Sequence, residues 1–99
     1  MKILDRVVQA LQACGPEKIY LFGSWARGEE DELSDLDLIV IKETEASFFN
    51  RLQEVSGMLP EGAAADVLVY TPGEFREMTE RGNAFVEMIL EEGKLLYER

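Results

Sequence analysis

The chain has 99 residues, 46% of them hydrophobic, with 10 Lys+Arg against 20 Asp+Glu, a net charge of −10 and no histidine. Length and hydrophobic content predict one folded domain, residues 1–99, and exclude disorder. The acidic balance argues against direct DNA binding or an anionic membrane surface, both of which attract basic patches, but leaves room for a nucleotide whose phosphates are screened by a divalent metal. Without histidine, imidazole acid–base chemistry and the commonest zinc ligand are also excluded.

Leu4, Val7, Val8 and Leu11 follow the i, i+3, i+4, i+7 spacing of a helix with one apolar face. Asp5 and Arg6 interrupt any signal-peptide core, Gly15-Pro16 stops the helix, and Cys14 near its end is the sole cysteine. That rules out an intrachain disulfide, and with no histidine to activate it the thiol is expected to be structural. No apolar run approaches the ~20 residues needed to span a bilayer, so a soluble, cytoplasmic protein is expected.

Lys18 to Phe22 is a short β-type run bounded by Gly23, and Leu36 to Ile41 is a second. Beyond its first carboxylates the second is apolar on both faces, as a central covered strand should be. Ala46 to Met58 reads as an amphipathic helix with Phe48, Leu52 and Val55 on one side, ending near Gly57 and Pro60. Ala64 to Tyr70 is a third strand. Thr71-Pro72-Gly73-Glu74 has the residues of a capping box with proline in the first turn, opening a helix to about Arg81. Gly82-Asn83 breaks it, Asn83 can cap a last helix from Ala84 to Glu92, and Gly93 closes that one. Lys94 to Tyr97 is either a final short strand or an extended tail. The order predicts a small α/β domain with a mixed three- or four-stranded sheet; strand order is not readable.

Chemistry concentrates between Gly23 and Val40, with Asp66 downstream. Residues i and i+2 of a strand share a face, ~6.6–6.8 Å apart, so Asp35 and Asp37 project together while Leu36 turns to the core. Side-by-side carboxylates repel and raise each other's pKa unless a cation intervenes, and Mg²⁺ suits one or two carboxylates completed by water and phosphate oxygens. If the third strand lies beside the second, Asp66 joins the pair. The plainer alternatives are a turn or cap for Asp35 and an ion pair with Arg27 or Lys18 for Asp37. Gly23 permits close approach of a ligand to the backbone, and Ser24 adds a hydroxyl and, if a helical turn starts there, free N–H groups for an anion. An ordinary capped turn is the alternative. No Gly-Lys-Ser/Thr and no GxGxxG follow, which excludes the P-loop and dinucleotide fingerprints. Arg27 either neutralises phosphate or pairs within the acidic run Glu29 to Glu32, itself expected to be a solvated loop.

Gly23-Ser24, ten residues, then Asp35-Leu36-Asp37 resembles the GS-x10-DxD signature of the DNA polymerase β-like nucleotidyltransferases. The string GSWARGEEDELSDLDLIV is similar to the minimal nucleotidyltransferase pattern GSxARGxxxxxSDxDLxV, and ADVLVY and EEGKLLYE are similar to the family's later segments. The resemblance implies a polymerase β-like fold in which Asp35 and Asp37 bind two Mg²⁺ ions. It implies that Asp66 holds the catalytic metal and helps deprotonate the attacking hydroxyl, while Gly23 and Ser24 hold the triphosphate of an NTP, with ATP expected. It further implies an antitoxin that transfers AMP to a tyrosine of a helical HEPN toxin, while the sequence leaves the assembly open between a hetero-complex and a homo-oligomer. The alternatives are a catalytically weak module that neutralises such a partner by contact, or transfer to a small molecule or RNA end.

Overall fold

The computed structural model describes residues 3–28 and 35–99. The acidic run 29–32 and Ser34 lie outside the described residues. The elements are α1 (Ile3–Leu11), extended by a 3-10 turn (Gln12–Cys14), β1 (Lys18–Phe22), β2 (Leu36–Ile41), α2 (Phe48–Ser56), β3 (Ala65–Tyr70), α3 (Pro72–Glu80), α4 (Ala84–Glu92) and β4 (Lys94–Glu98). The four strands form one mixed sheet in the order β3-β2-β1-β4. β1 runs antiparallel to both β2 and β4, whereas β2 and β3 are parallel. Lys94 onward is therefore a strand, and the sheet has four strands.

Alternation along β2 splits the core in two. Leu36, Leu38 and Val40 pack with Ile19, Leu21, Val67 and Val69 against Val7 and Leu11 of α1 and Val55 of α2. Ile39 and Ile41 face the other way, against Ile89 of α4, with Tyr20, Phe22, Leu68, Tyr70, Phe75 and Phe85 around them. Both faces being covered explains why β2 reads as an apolar run rather than an alternating one. Burying each such aliphatic side chain contributes about 1.5–3 kcal/mol.

The helix starts follow from their caps. Thr71 Oγ1 accepts from the Glu74 N–H at 3.1 Å while Glu74 Oε1 accepts from the Thr71 N–H at 2.8 Å. The Asn83 carboxamide oxygen accepts from the N–H groups of Phe85 and Val86 at 3.0 and 3.1 Å. In α2 the predicted start moves from Ala46 to Phe48, because Ser47 is the cap and accepts from the Asn50 N–H. The predicted apolar stripe of α2 is also incomplete. Val55 is buried, but Phe48 is 41% exposed, because it sits at the helix start and leans on Tyr70 instead.

One buried charge was not anticipated. Arg51 on α2 is 8% exposed and is fully employed. Its guanidinium donates to both carboxylate oxygens of Glu74 at 2.7 and 3.3 Å, to the Ala46 carbonyl at 2.8 Å and to the Val69 carbonyl at 3.3 Å. It ties α2, the β3 edge and the start of α3 together. Its only signal in the sequence was an arginine flanked by helix formers, which normally reads as solvent-facing.

Candidate active site at one end of the sheet

The end of β1 and the starts of β2 and β3 meet at one end of the sheet. The antiparallel register sets Phe22 opposite Asp37, and the parallel register sets Asp37 opposite Asp66. Asp37 shares its face with Ile39 and Ile41, so it points to the side covered by α3 and α4, as its strand neighbour Asp66 does beside Leu68 and Tyr70. Paired strands lie ~4.8 Å apart, which brings the two aspartates within strong mutual repulsion. Asp35, just before β2, is exposed, as is Asp66, while Asp37 is partly buried.

The Asp37 carboxyl is held above its usual range, first by burial and then by the charges of Asp66 and Asp35, with Arg27 acting in the opposite direction. Three sequence-selected carboxylates are thus electrostatically coupled, and Arg27 is near enough to be felt. Lys18, the other cation considered for Asp37, is excluded by the antiparallel turnover of β1. It lies at the far end of the sheet, opposite Ile41, where it pairs with Glu98 at 3.6 Å.

Gly23 is required at its position twice over. Its φ is +75°, and a Cβ there would overlap Asp37 Oδ2 and lie 3.2 Å from Asp37 Cγ. The Gly23 carbonyl then accepts from the N–H groups of Ala26 and Arg27 at 3.1 and 3.3 Å, and the Trp25 carbonyl accepts from Gly28 at 3.3 Å. Ser24 therefore opens a single tight turn rather than a helix. The turn is anchored by Ala26, buried in the α1/α2 core with Trp25 packed against it. That anchoring leaves Ser24 and Arg27 at the carboxylate end.

Among the described residues, no group of three or more acidic or cysteine side chains is gathered tightly enough to hold a metal ion unaided. The donor chemistry nevertheless fits Mg²⁺, which needs only one or two carboxylates and takes its remaining oxygens from water and phosphate. A cation would also relieve the repulsion that raises Asp37. No helix among the described residues is long and apolar enough to cross a membrane.

A mixed four-stranded sheet covered by helices on both faces, with a Gly-Ser turn closing on strand-borne aspartates, defines the class as a polymerase β-like nucleotidyltransferase fold. The sequence profile described as Polymerase beta, Nucleotidyltransferase matches residues 6–99, and the chain belongs to that family. No curated protein matches significantly. Solved structures similar to it include a candidate nucleotidyltransferase from Sulfolobus solfataricus, with a TM-score of 0.67 and 23% identity over 98% of this chain and 78% of that one. A toxin–antitoxin structure with AMP-PNP gives 0.63 and 19% over 96% and 73%, so at this identity the likeness is one of fold. A candidate minimal nucleotidyltransferase gives 0.58 and 28% over 95% of each chain.

Proposed function

We propose that this protein is a Mg²⁺-dependent nucleotidyltransferase that moves AMP from ATP to a hydroxyl of a partner protein, a tyrosine of a HEPN-type toxin, and so acts as its antitoxin. The observation that carries the reading is the register at the sheet end, where Asp37 stands between Gly23, whose backbone abuts its carboxylate, and Asp66 on the neighbouring strand. That a toxin–antitoxin structure with AMP-PNP shares this fold is in keeping with a nucleotide substrate and a protein partner.

In this reading the turn at Gly23 and Ser24 receives the triphosphate, with Arg27 as its counter-charge. Asp35 and Asp37 would hold Mg²⁺, and Asp66 would share the catalytic ion. Two ions, when bound, neutralise the phosphate oxygens and stabilise the entering and leaving oxygens of an in-line displacement. Asp66 takes the proton of the acceptor hydroxyl as its oxygen bonds to the α-phosphorus. The α–β bridging P–O bond breaks and pyrophosphate leaves. The acceptor comes from outside the chain.

The test is intact mass after incubation with a HEPN-type partner, ATP and Mg²⁺. A gain of one or more AMP units on the partner, absent with Asp37→Asn, is expected. An unmodified partner refutes transfer. If Asp37→Asn still silences the partner in co-expression, neutralisation is by contact.

A further inference from the structure

The site lies at the ends of three strands, and α4 packs on the last two residues of β1 in addition to their ladder partners on β2 and β4. The Phe85 ring meets the Phe22 ring edge-on, with centroids 5.4 Å apart and planes at 86°. Phe22 is the residue immediately before Gly23 and the register partner of Asp37. The second brace is at the other end of the helix. The Gly93 N–H donates to the Ile89 carbonyl at 2.9 Å, and Ile89 itself is wholly buried. A Cβ on Gly93 would overlap that carbonyl oxygen and would sit 3.1 Å from the Leu21 carbonyl oxygen. Gly93 has a φ of −73°, open to any residue, so its smallness serves two close approaches where α4 hands over to β4: to the Ile89 carbonyl of its own helix and to the Leu21 carbonyl of β1, whose register partner is Lys94.

We infer that α4 is the positioning element of the nucleotide site, with Phe85 and Gly93 as positioning residues that act through Phe22 and Leu21. The inference rests on the nucleotide-binding reading above and extends it to residues outside the Gly-Ser and Asp-x-Asp segments. Its physical basis is that interiors are close-packed and transmit displacement. The Gly23 backbone and the Asp37 carboxyl leave no slack between them, so a shift of β1 relative to β2 changes the spacing between triphosphate turn and carboxylates. Phe85 packs on the face of β1 that carries the Asp37 side, and Gly93 lets the end of α4 and the start of β4 close on the Leu21 backbone. The two contacts lie at opposite ends of one rigid helix and hold adjacent residues.

The test compares dissociation constants for Mg²⁺–AMP-PNP, measured by calorimetry at a temperature where every variant is folded. Phe85→Leu and Gly93→Ala are expected to weaken binding by roughly tenfold, below the roughly hundredfold that a ~1 Å misplacement can cost a preorganised site. Phe85→Tyr, which keeps an aromatic ring at that position, is expected to retain affinity closer to wild type than Phe85→Leu. Val55→Ala serves as the control, since it removes buried volume from the opposite face and lowers stability, yet is expected to leave affinity unchanged. Unchanged binding in Phe85→Leu and Gly93→Ala overturns the inference, as does an equal loss in Val55→Ala, which would mean that the effect is only lost stability. A wild-type protein that does not bind Mg²⁺–AMP-PNP instead refutes the nucleotide reading itself.

Discussion

The two ends of the sheet handle charge in opposite ways. At the far end, charges are matched within the fold. Arg51 grips Glu74 with two hydrogen bonds, Lys18 pairs with Glu98, and the Thr71 box closes the start of α3. Hydrogen bonding from Arg51 holds the Glu74 carboxyl below its usual range. At the near end, Asp37 is held above its range by burial and by two further carboxylates, with only a partial offset from Arg27. One end is finished by the chain itself. The other carries an electrostatic cost that a bound cation would remove, and such a cost gathered at a strand end makes that end the candidate site.

The contrast breaks most sharply at Asp37. Asp37→Asn is expected to lower nucleotidyl transfer by at least about a hundredfold, the scale of losing one electrostatic contact to the transition state, while circular dichroism shows an intact fold. Retained transfer would remove Asp37 from the site. Gly23→Ala meets both a left-handed backbone and the Asp37 carboxylate. Its unfolding free energy should fall by about 1–2 kcal/mol, with transfer falling alongside.

At the matched end the expected effects are on stability alone. Arg51→Ala leaves the Val69 carbonyl without the Arg51 donor and takes the guanidinium from Glu74, which keeps the Thr71 N–H. Because Glu74 is partly exposed, the cost is about 2–3 kcal/mol by urea unfolding, with nucleotide affinity unchanged. Thr71→Ala removes one side of the capping box and should cost about 1 kcal/mol.

The smallest effect is in pH dependence without metal, and its sign differs between the ends. Glu74, with a lowered folded pKa, contributes stability that is present above the usual glutamate pKa and is lost as pH falls from there through the lowered one. Asp37, with a raised folded pKa, binds its proton more tightly when folded, so stability falls as pH rises from the usual aspartate value through the raised one. Urea midpoints measured against pH in EDTA should lose the acid-side slope in Glu74→Gln and the opposing slope in Asp37→Asn. Midpoints that respond identically in the two variants would erase the distinction between the ends.

Most elements were legible because they are set locally. The Thr71-Pro72-Gly73-Glu74 box, the Asn83 cap and the Gly15-Pro16 stop each use side chains within a few residues of the backbone groups they satisfy. The apolar run of β2 announced a covered central strand for the same reason. Arg51 was not legible, because its partners Val69 and Glu74 lie 18 and 23 residues away. Phe48 misled, because helical spacing states which side chains share a face but not where a helix overhangs the sheet.

The parts of the candidate site can be read along the chain: a Gly-Ser pair ending one strand, Asp-x-Asp opening the next, a third aspartate in an apolar run, and a charge pattern with no histidine. Their assembly is a matter of strand pairing. The parallel pairing of β2 with β3 set Asp66 beside Asp37, and the antiparallel pairing of β1 set Gly23 against the same carboxylate and carried Lys18 to the far end. Strand pairing is a contact between segments far apart in the chain, and side-chain periodicity specifies a strand's faces without naming its neighbours.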